Sequence, residues 1–393
     1  MVHSTHELSP SDSPTLALLH PTQEEKIATW RLNGSVWKGA MNLSTYLRRE
    51  KYLENQGFTR DGGISFWILV DTTAQPNARP ILASCESFRK QALIAREDGK
   101  VEDIISHGIG SVFCNPAYRN RGYAQRMITE LGKKLDTHQQ EEGRKAYFTV
   151  LYSDIGKRFY SRMHWEAFPS SHIALPPSTT QKAHSATIQS RPLLAGDLAK
   201  LCSLDDQWLR DSISKPANIP SIRVALIPDI KTMQWHHARE EFAGREMLGK
   251  DPDIKGAYST TVNGDQVWCI WTRTFGSTAD GNTLNILRFV IEGEQLVRQN
   301  ENDPIVLEPS DQAKARAGAA VLRAAQEEAA RWEMGNVQIW NPTPLTVLAA
   351  KEVEPGAQVI HRDEESIASL RWHGVKADRS KVQWVGNEKY GWC

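Results

Sequence analysis

The sequence predicts an α/β protein, of the α+β type with a mixed β-sheet, built from two domains. Its 393 residues exceed the roughly 250–300 at which a single hydrophobic core stops growing. Patterns typical of helices and of strands alternate in both halves, and a segment rich in Ser and Thr separates them. We therefore expect a first domain over residues 1–176, a linker over residues 177–190 and a second domain over residues 191–393.

The first ninety residues predict an edge strand, two helices and two further strands. Thr22, followed three residues later by Glu25, forms a capping box, so a helix is expected to begin there. Runs of β-branched and aromatic residues predict the strands, and a Gly-rich turn precedes them. In chain order, the edge strand is predicted over 15–20, before this first helix. A second helix over 43–55, a turn over 57–63 and strands over 64–71 and 80–89 are predicted after it.

The next eighty-five residues predict strands on either side of an amphipathic helix. Apolar residues recur every three or four positions over 122–138, as they do on one face of a helix. The run 146–152 is apolar without alternation, which is typical of a central strand. The other predicted elements are a strand over 104–114, a helix over 154–163 and a strand over 165–175.

The second half predicts a similar order of elements, α–β–β–β–α–β–α. This similarity leads to the hypothesis of a diverged internal duplication. An Asn-Gly turn joins the first two strands of this half. The predicted helices cover 198–210, 231–247 and 310–332 and a stretch that begins at Pro344, and the predicted strands cover 257–262, 267–275, 283–292 and 337–340.

The composition excludes several classes of protein. The 47 basic residues balance 47 acidic ones, whereas nucleic-acid-binding proteins need a basic excess. The longest apolar run is far below the roughly 20 residues that span a bilayer, and the polar N-terminus lacks a signal-peptide core. Five cysteines lie far apart, without a metal-binding spacing. The sequence therefore predicts a cytoplasmic protein with reduced thiols and with no metal, nucleic-acid or membrane partner; it does not predict an oligomeric state.

Residues 111–124 carry the clearest chemical signal. A strand ends in Asn-Pro, a short basic turn follows, and Gly122 stands where a helix begins. Backbone N–H groups in the first turn of a helix lack intrahelical acceptors, and the helix dipole adds partial positive charge. Gly122 permits a close approach to the backbone, while Arg119 and Arg121 add charge. The segment predicts an anion-binding turn, although it lacks the Gly-Lys pair of a P-loop.

The run Arg119-x-x-Gly122-x-Ala124 resembles the [Q/R]-x-x-G-x-[G/A] pyrophosphate loop of the GNAT acetyltransferase superfamily. Residues 151–165 resemble its second motif, which is a strand, a helix ending in Phe-Tyr and a turn into the next strand. His164 departs from the glycine that is usual in this turn. By this resemblance the first domain has the GNAT fold, acetyl-CoA is the co-substrate, and the second domain is hypothesised to be a degenerate GNAT copy.

The tail 387–393, together with the block 151–165, resembles the fungal lysine N6-acetyltransferase family. Members of that family have this length and pair a GNAT domain with a large C-terminal domain, so the resemblance covers nearly the whole chain. It implies that acetyl-CoA and free L-lysine give N6-acetyl-L-lysine in lysine degradation. The alternatives are an acetyltransferase for a protein amine or another small amine, and a non-enzymatic regulator that binds coenzyme A.

The GNAT resemblance implies a cleft for the pantetheine arm between the strands that end at Cys114 and Ser153. Backbone groups of Val112 and Cys114 would meet the arm, and an N–H group near Phe113 would polarise the thioester carbonyl. Ser153 would either bind the pantetheine amide or cap the following helix. The implied pyrophosphate cradle consists of Arg119, Asn120, Arg121, Gly122, Tyr123, Ala124 and Gln125.

Tyr160 is the candidate general acid, because the departing coenzyme A thiolate benefits from a proton supplied by a nearby phenol. The alternative for Tyr160 is an aromatic ring that packs on the cofactor without donating. A lysine ε-amine has a pKa of about 10.4 and must lose a proton before it attacks. His107 is the candidate base, with a hydrogen-bonded strand histidine as its alternative. Glu86 is a weaker candidate.

The tail is expected to be docked, because Tyr390 and Trp392 place two large rings next to the terminus. N-myristoyltransferases use their terminal carboxylate as the base for the amine, and by that analogy the Cys393 carboxylate would deprotonate the substrate amine or bind it. The alternative is a tail that only joins the two domains. The pattern around His236, with a second His and two Glu nearby, predicts a solvated helix face more simply than a metal site.

Overall fold

Two mixed β-sheets with flanking helices confirm the predicted α/β class. The computed structural model describes residues 8–141, 144–179, 188–215, 222–278, 281–297, 308–373 and 382–393. Its helices are α1 (Gln23–Trp37), α2 (Leu43–Glu54), α3 (Tyr123–Leu135), α4 (Arg158–Ser161), α5 (Leu198–Ser214), α6 (Ile230–Leu248), α7 (Pro309–Arg331) and α8 (Pro344–Val353). Within this described part of the chain, none of the helices combines the length and the apolar composition that a bilayer crossing needs.

The strands, in chain order, are β1 (Leu16–Leu19), β2 (Ile64–Asp71), β3 (Ala83–Ala95), β4 (Val101–Cys114), β5 (Ala146–Ser153), β6 (Glu166–Ala167), β7 (Ser171–Leu175), β8 (Ser190–Leu193), β9 (Ile222–Leu226), β10 (Gly256–Thr260), β11 (Gln266–Thr274), β12 (Thr283–Ile291), β13 (Asn336–Trp340), β14 (Ile360–His361), β15 (Ile367–Trp372) and β16 (Val382–Trp384). The first sheet has the order β1-β2-β3-β4-β5-β15-β6, with β9 beside β3 and β16 beside β9. The second sheet has the order β14-β7-β13-β12-β11-β10-β8.

The two halves exchange strands. β15, from the second half, pairs with β5 in the first sheet, whereas β7, from the first half, pairs with β13 in the second. The single strand predicted over 165–175 is therefore wrong, because the chain leaves one sheet and enters the other at Pro169, which has no N–H group to donate. The division into domains stays a prediction, and residues 180–187 of the predicted linker lie outside the described residues.

Local signals near the helix starts are confirmed in part. Thr22 accepts a hydrogen bond from the Glu25 N–H group, and the capping box closes as predicted. The predicted helix over 154–163 shortens to α4, because a turn formed after Ser153 occupies its first residues. The sequence did not predict the short strands β8, β9, β14 and β16, because their pairing partners are distant in sequence.

The histidine pair on α6 is buried, so the predicted solvated face is wrong. His236 Nε2 lies 3.2 Å from the carbonyl oxygen of Tyr390, and His237 Nε2 lies 3.0 Å from that of Trp271. Glu240 is buried with them and forms ion pairs. The cause is the position of α6, which packs against α2 on one side and against β11 on the other.

Both sheets repeat one arrangement. In the first, β4 leads through α3 to β5, which pairs with it in parallel; in the second, β12 leads through α7 to β13, again in parallel. Both β4 and β12 carry an extra residue relative to their antiparallel neighbour, near the point where pairing with the parallel strand ends. A bulge at the same topological position in each half supports the hypothesis of an internal duplication.

Candidate active site

A cleft opens where β4 and β5 separate. Their parallel pairing ends at Ile109 and Leu151, although both strands continue beyond these residues. In its pairing with β3, β4 has one extra residue, a β-bulge, just after Gly110. Ser111 at this bulge has a left-handed backbone with φ of 51°. A bulge of this kind bends its strand. The end of β4 therefore leaves β5, and its backbone groups on that side face an open space.

The turn after β4 has the geometry of an anion-binding loop. The Asn115 side chain accepts a hydrogen bond from the Ala117 N–H group at 3.1 Å and starts a short 3₁₀ turn. Asn120 and Gly122 then take positive φ values of 62° and 81°, and α3 begins at the next residue. No side chain caps this helix start. The first N–H groups of α3 are thus available to an acceptor oxygen.

The predicted cradle residues share the exposed rim of this loop, with one exception. Asn120, Arg121, Gly122 and Gln125 are exposed and Ala124 is half-buried, whereas the Tyr123 ring is buried and its hydroxyl donates to the Ser9 carbonyl at 2.6 Å. Tyr123 can therefore serve a ligand only through its backbone. Arg119 lies over the Phe113 ring, 5.6 Å from its centroid, with its Nε atom donating to the Cys114 carbonyl at 3.4 Å.

The remaining predicted cofactor contacts line the wall of the cleft. Val112 and Cys114 are half-buried, and the Cys114 thiol donates to the Leu82 carbonyl at 3.7 Å. Burial raises the pKa of that thiol, so it stays protonated and is a poor nucleophile. The Ser153 hydroxyl donates to the Gly156 carbonyl at 2.7 Å, which stabilises the turn after β5.

Tyr160 lies on α4 and packs into the core between α3 and the sheet. Its ring meets that of Phe159 edge-on, with centroids 5.0 Å apart. Burial, with smaller effects from Cys85 and Asp154, raises the pKa of the phenol. Tyr160 therefore carries its proton at neutral pH, as a general acid must.

His107 is buried on the face of the first sheet that α3 covers. Its Nε2 atom lies 3.1 Å from the Gln139 side-chain oxygen, and its ring lies 5.5 Å from that of His138. Burial lowers its pKa to about 3, which makes it a weak base. It pairs with Thr149 where β4 and β5 are still joined, so it does not line the opening. Its role as base stays a prediction.

The C-terminus lies on the opposite face of β4. A Cβ atom built on Gly110 would come within 3.0 Å of the Cys393 carbonyl oxygen, and one on Gly108 within 2.8 Å of the Cys393 thiol. The same Gly108 position is 2.5 Å from the end of the Lys90 side chain. Burial lowers the pKa of Lys90, and the charge of Cys393 partly opposes this effect. The two glycines make room for the terminus beside the bulge of β4.

Buried hydrogen bonds and ion pairs hold the tail in this place. Glu388 accepts a hydrogen bond from the Phe289 N–H group at 2.8 Å and pairs with Arg288. Arg288 also forms a two-pronged ion pair with Asp205, at 2.8 and 2.7 Å. The Tyr390 hydroxyl donates to the Leu226 carbonyl at 2.8 Å. The expectation that the tail docks is confirmed, and its end reaches the separated strands.

An acidic and aromatic pocket adjoins the terminus. It is a small cavity of about 30 Å³, enough for the tip of an extended molecule. Phe88 and Trp235, which line the cavity, belong to one hydrophobic cluster, and Trp392 and Cys393 pack against that cluster. The residues that line it are Trp30, Glu50, Leu53, Glu54, Thr59, Ile64, Phe66, Glu86, Phe88 and Trp235. Glu54 pairs with Lys26, whose ammonium lies over the Trp30 and Phe66 rings, and Glu50 pairs with Arg49. Glu86 is therefore the lining carboxylate that remains to meet an organic cation, beside aromatic faces that favour one.

Glu86 joins this pocket to the cleft. It is the cross-strand partner of Gly110, so its side chain shares the face on which Cys393 lies. Its carboxylate accepts a hydrogen bond from the Ser111 hydroxyl at 2.7 Å. Burial, and then the charge of Glu50, raises the pKa of Glu86 to about 7. The sequence signal for Glu86 was weak because its partners come from distant segments.

Comparison with known proteins identifies the family of the second half and the fold. Residues 172–393 match the family described as LYC1 GNAT-like C-terminal domain, which is more than half of the chain. The uncharacterized protein YGR111W of Saccharomyces cerevisiae is 20% identical over 421 residues, which cover 98% of this chain and 99% of that one. A lysine acetyltransferase of Yarrowia lipolytica is 21% identical over 232 residues, covering 50% of this chain and 58% of that one.

Two solved structures share the fold across both halves. A conserved Enterococcus faecalis protein, described as a probable N-acyltransferase, matches with a TM-score of 0.52 at 10% identity, over 91% of this chain and 73% of that one. A GCN5-related N-acetyltransferase of Anabaena variabilis matches with a TM-score of 0.50 at 13% identity, over 92% of this chain and 73% of that one. At these identities the likeness concerns the fold.

Proposed function

Because this chain belongs to the LYC1 family with a GNAT-like C-terminal domain and is a GNAT N-acetyltransferase, we propose that its acceptor is the ε-amine of free L-lysine and its donor acetyl-CoA. The observation that carries the proposal is the acidic and aromatic pocket, which adjoins both the separated strands and the terminal residue. The name of the Yarrowia lipolytica relative, lysine acetyltransferase, supports lysine as the acceptor.

The proposed donor site is the cleft and the loop after β4. The uncapped N–H groups at the start of α3 would bind the pyrophosphate, with Arg119 and Arg121 adding positive charge. The backbone of Val112 and Cys114, where β4 has left β5, would hold the pantetheine arm, and the N–H group near Phe113 would polarise the thioester carbonyl. Ser153 would act through the turn that it stabilises.

In the proposed acceptor site, Glu86 takes the proton from the lysine ammonium. Its pKa of about 7 leaves a substantial ionised fraction at neutral pH and keeps it basic enough to accept a proton. The Cys393 carboxylate, on the same face of β4, would bind and orient the amine. His107 is the less favourable base, since it faces away from this terminus.

The proposed chemistry is a direct transfer. The neutral amine nitrogen attacks the thioester carbon, a C–N bond forms, and the C–S bond breaks as the tetrahedral intermediate collapses. Coenzyme A leaves as a thiolate and takes a proton from the Tyr160 phenol. The new amide nitrogen releases its surplus proton to solvent, and solvent returns one proton to the Tyr160 phenolate, so that the protons balance. No covalent acetyl-enzyme is needed, which agrees with the protonated state of the Cys114 thiol.

A cavity of about 30 Å³ admits the tip of one side chain, whether it belongs to a small amine or to a peptide, so the acetyl-transfer assay decides between these acceptors. A cytoplasmic role in lysine degradation accompanies this proposal. A non-enzymatic regulator is the less favourable alternative, since such a protein needs neither a basic carboxylate in the pocket nor a protonated phenol on α4.

The test is an acetyl-transfer assay with the purified full chain. Acetyl-CoA is incubated with L-lysine, L-ornithine, spermidine or a lysine-containing peptide, and thiol release and the acetylated product are measured. We expect L-lysine to have the highest kcat/KM, with acetyl on the ε-nitrogen. A higher kcat/KM for the peptide would show a protein acetyltransferase, and binding of acetyl-CoA without transfer to any amine would favour the regulator.

A further inference from the structure

Arg239 on α6 is a half-buried cation without a counter-ion. Among the residues that the structure describes, its guanidinium forms no hydrogen bond and no ion pair, and it rests on the Trp392 ring, 5.1 Å from the centroid. Burial, and then the charge of Arg49, lowers its pKa to about 10. A half-buried guanidinium that no carboxylate of the described chain pairs with can bind an anion that enters from solvent.

Arg239 stands beside the acceptor pocket. Trp235, one helical turn earlier on α6, lines that pocket and packs with Trp392 and Cys393 in one cluster. Arg239 reaches the same Trp392 ring from α6. A molecule whose amine meets Cys393 and Glu86 would therefore extend along Trp392 toward Arg239.

Neighbouring groups strengthen the positive potential there. The Lys389 ammonium lies 4.2 Å from the centroid of Trp392 and 4.0 Å from that of Trp340. Burial, followed by the charge of Arg239, lowers the pKa of Lys389 to about 7. The carboxylate whose charge acts on Arg239 is that of Glu50, which is already paired with Arg49 at 2.8 Å.

We propose that Arg239 binds the carboxylate of the acceptor, so that this enzyme selects amino acids over amines without a carboxylate. The planar guanidinium offers two parallel N–H groups that match the two oxygens of a carboxylate. The acceptor is then held at both ends, with its ε-amine at Glu86 and Cys393 and its α-carboxylate at Arg239. This inference rests on the proposed lysine function and specifies how the substrate is recognised.

The test compares Arg239→Gln with the wild type on two acceptors, L-lysine and L-lysinamide, in which an amide replaces the carboxylate. We expect the wild type to prefer L-lysine. In the variant, KM for L-lysine should rise by about 10- to 100-fold, the range for a lost hydrogen bond to a charged group. The values for L-lysinamide should stay within about two-fold of the wild type, which a merely structural role would not produce.

Arg245→Gln is the matched control, because Arg245 is on the same helix but exposed and paired with Asp251. It should leave both acceptors unaffected. Arg239→Gln should fold, since Arg239 is half-buried and the substitution breaks no ion pair among the described residues, and a melting temperature close to that of the wild type would verify this. Arg239→Lys keeps the positive charge but lacks the two parallel N–H groups of the guanidinium, so it should lose part of the preference for L-lysine over L-lysinamide.

The outcomes separate the two proposals. Equal wild-type kcat/KM for L-lysine and L-lysinamide, or an unchanged KM for L-lysine in Arg239→Gln, would overturn the carboxylate site and leave the lysine function standing. Loss of acetyl-CoA affinity in Arg239→Gln, with KM for L-lysine unchanged, would assign the cation to a coenzyme A phosphate instead. A wild type that acetylates neither acceptor would overturn the lysine function and this inference with it.

Discussion

Glu86 shows how its surroundings change the chemistry of a carboxylate. Burial and the nearby charge of Glu50 raise its pKa from 4.5 to about 7. A base must be ionised, and the ionised fraction of Glu86 increases as pH rises through about 7. We expect kcat/KM for the amine to rise across that interval, and Glu86→Gln to remove this rise and lower kcat by roughly 10²–10⁴-fold. The measurement is a pH profile of both proteins.

The stability of the Glu86→Gln variant provides the control. Because the folded state raises this pKa, the favourable contribution of the protonated group is fully present below pH 4.5 and is lost as pH rises through about 7. The variant should therefore be at least as stable as the wild type at pH 8. A wild-type pH profile in the variant would remove Glu86 from the mechanism.

The Tyr160 hydroxyl is expected to matter for turnover and not for packing. Tyr160→Phe keeps the edge-on contact with Phe159 and removes only the proton donor. We expect kcat to fall by roughly 10²–10⁴-fold with little change in acetyl-CoA affinity. Pre-steady-state measurement of thiol release would test this directly, and an unchanged rate would reduce Tyr160 to a packing residue.

The loop before α3 acts as one element, because its function depends on consecutive backbone groups. Gly122 has φ of 81°, and a Cβ atom there would come within 2.7 Å of the Ser11 hydroxyl. Gly122→Ala should therefore shift the loop and weaken acetyl-CoA binding by about 5- to 30-fold, since a left-handed non-glycine residue costs about 1–2 kcal/mol. Isothermal titration calorimetry measures this affinity.

Gly249→Ala is a matched control for backbone strain. Gly249 ends α6 with φ of 63°, and no neighbouring atom lies within 4 Å of its Cβ position. Both variants should lose comparable stability, but only the loop variant should lose affinity for acetyl-CoA. Equal affinities in the two variants would contradict the assignment of the loop.

At the scale of the whole molecule, the tail connects equivalent places in the two halves. In the second sheet, β12 bulges and leaves β13, and there Glu388 binds the Phe289 N–H group. In the first sheet, β4 bulges and leaves β5, and there Cys393 meets Gly110. The second half thus binds the chain's own tail where the first half has an open cleft, and this anchors the terminus.

The charge of the terminus is expected to contribute to the reaction. Converting the Cys393 carboxylate to an amide by protein ligation keeps the shape of the tail and removes one negative charge. We expect kcat/KM for L-lysine to fall at least about ten-fold, while acetyl-CoA affinity and melting temperature stay unchanged. Wild-type kinetics in the amidated protein would show that the tail serves only to join the halves.

Features that depend on consecutive residues could be predicted from the sequence. The capping box at Thr22, the amphipathic helix α3 and the glycine at the start of α3 each occupy one short stretch. Their geometry follows from local backbone preferences and from the periodicity of apolar side chains. The mixed α/β class and the two similar halves followed from the order of such stretches.

The strand exchange and the acceptor pocket were decided by the tertiary structure alone. β7 pairs with β13 and β15 pairs with β5, so each of these strands joins the sheet of the other half of the chain. No local sequence pattern predicts such a pairing. The pocket combines Trp30, Glu86 and Trp235 from three elements, and Cys393 packs against the aromatic cluster beside it. Burial then gives Glu86 a basicity that its sequence neighbours do not specify, because desolvation depends on all the atoms packed around a group.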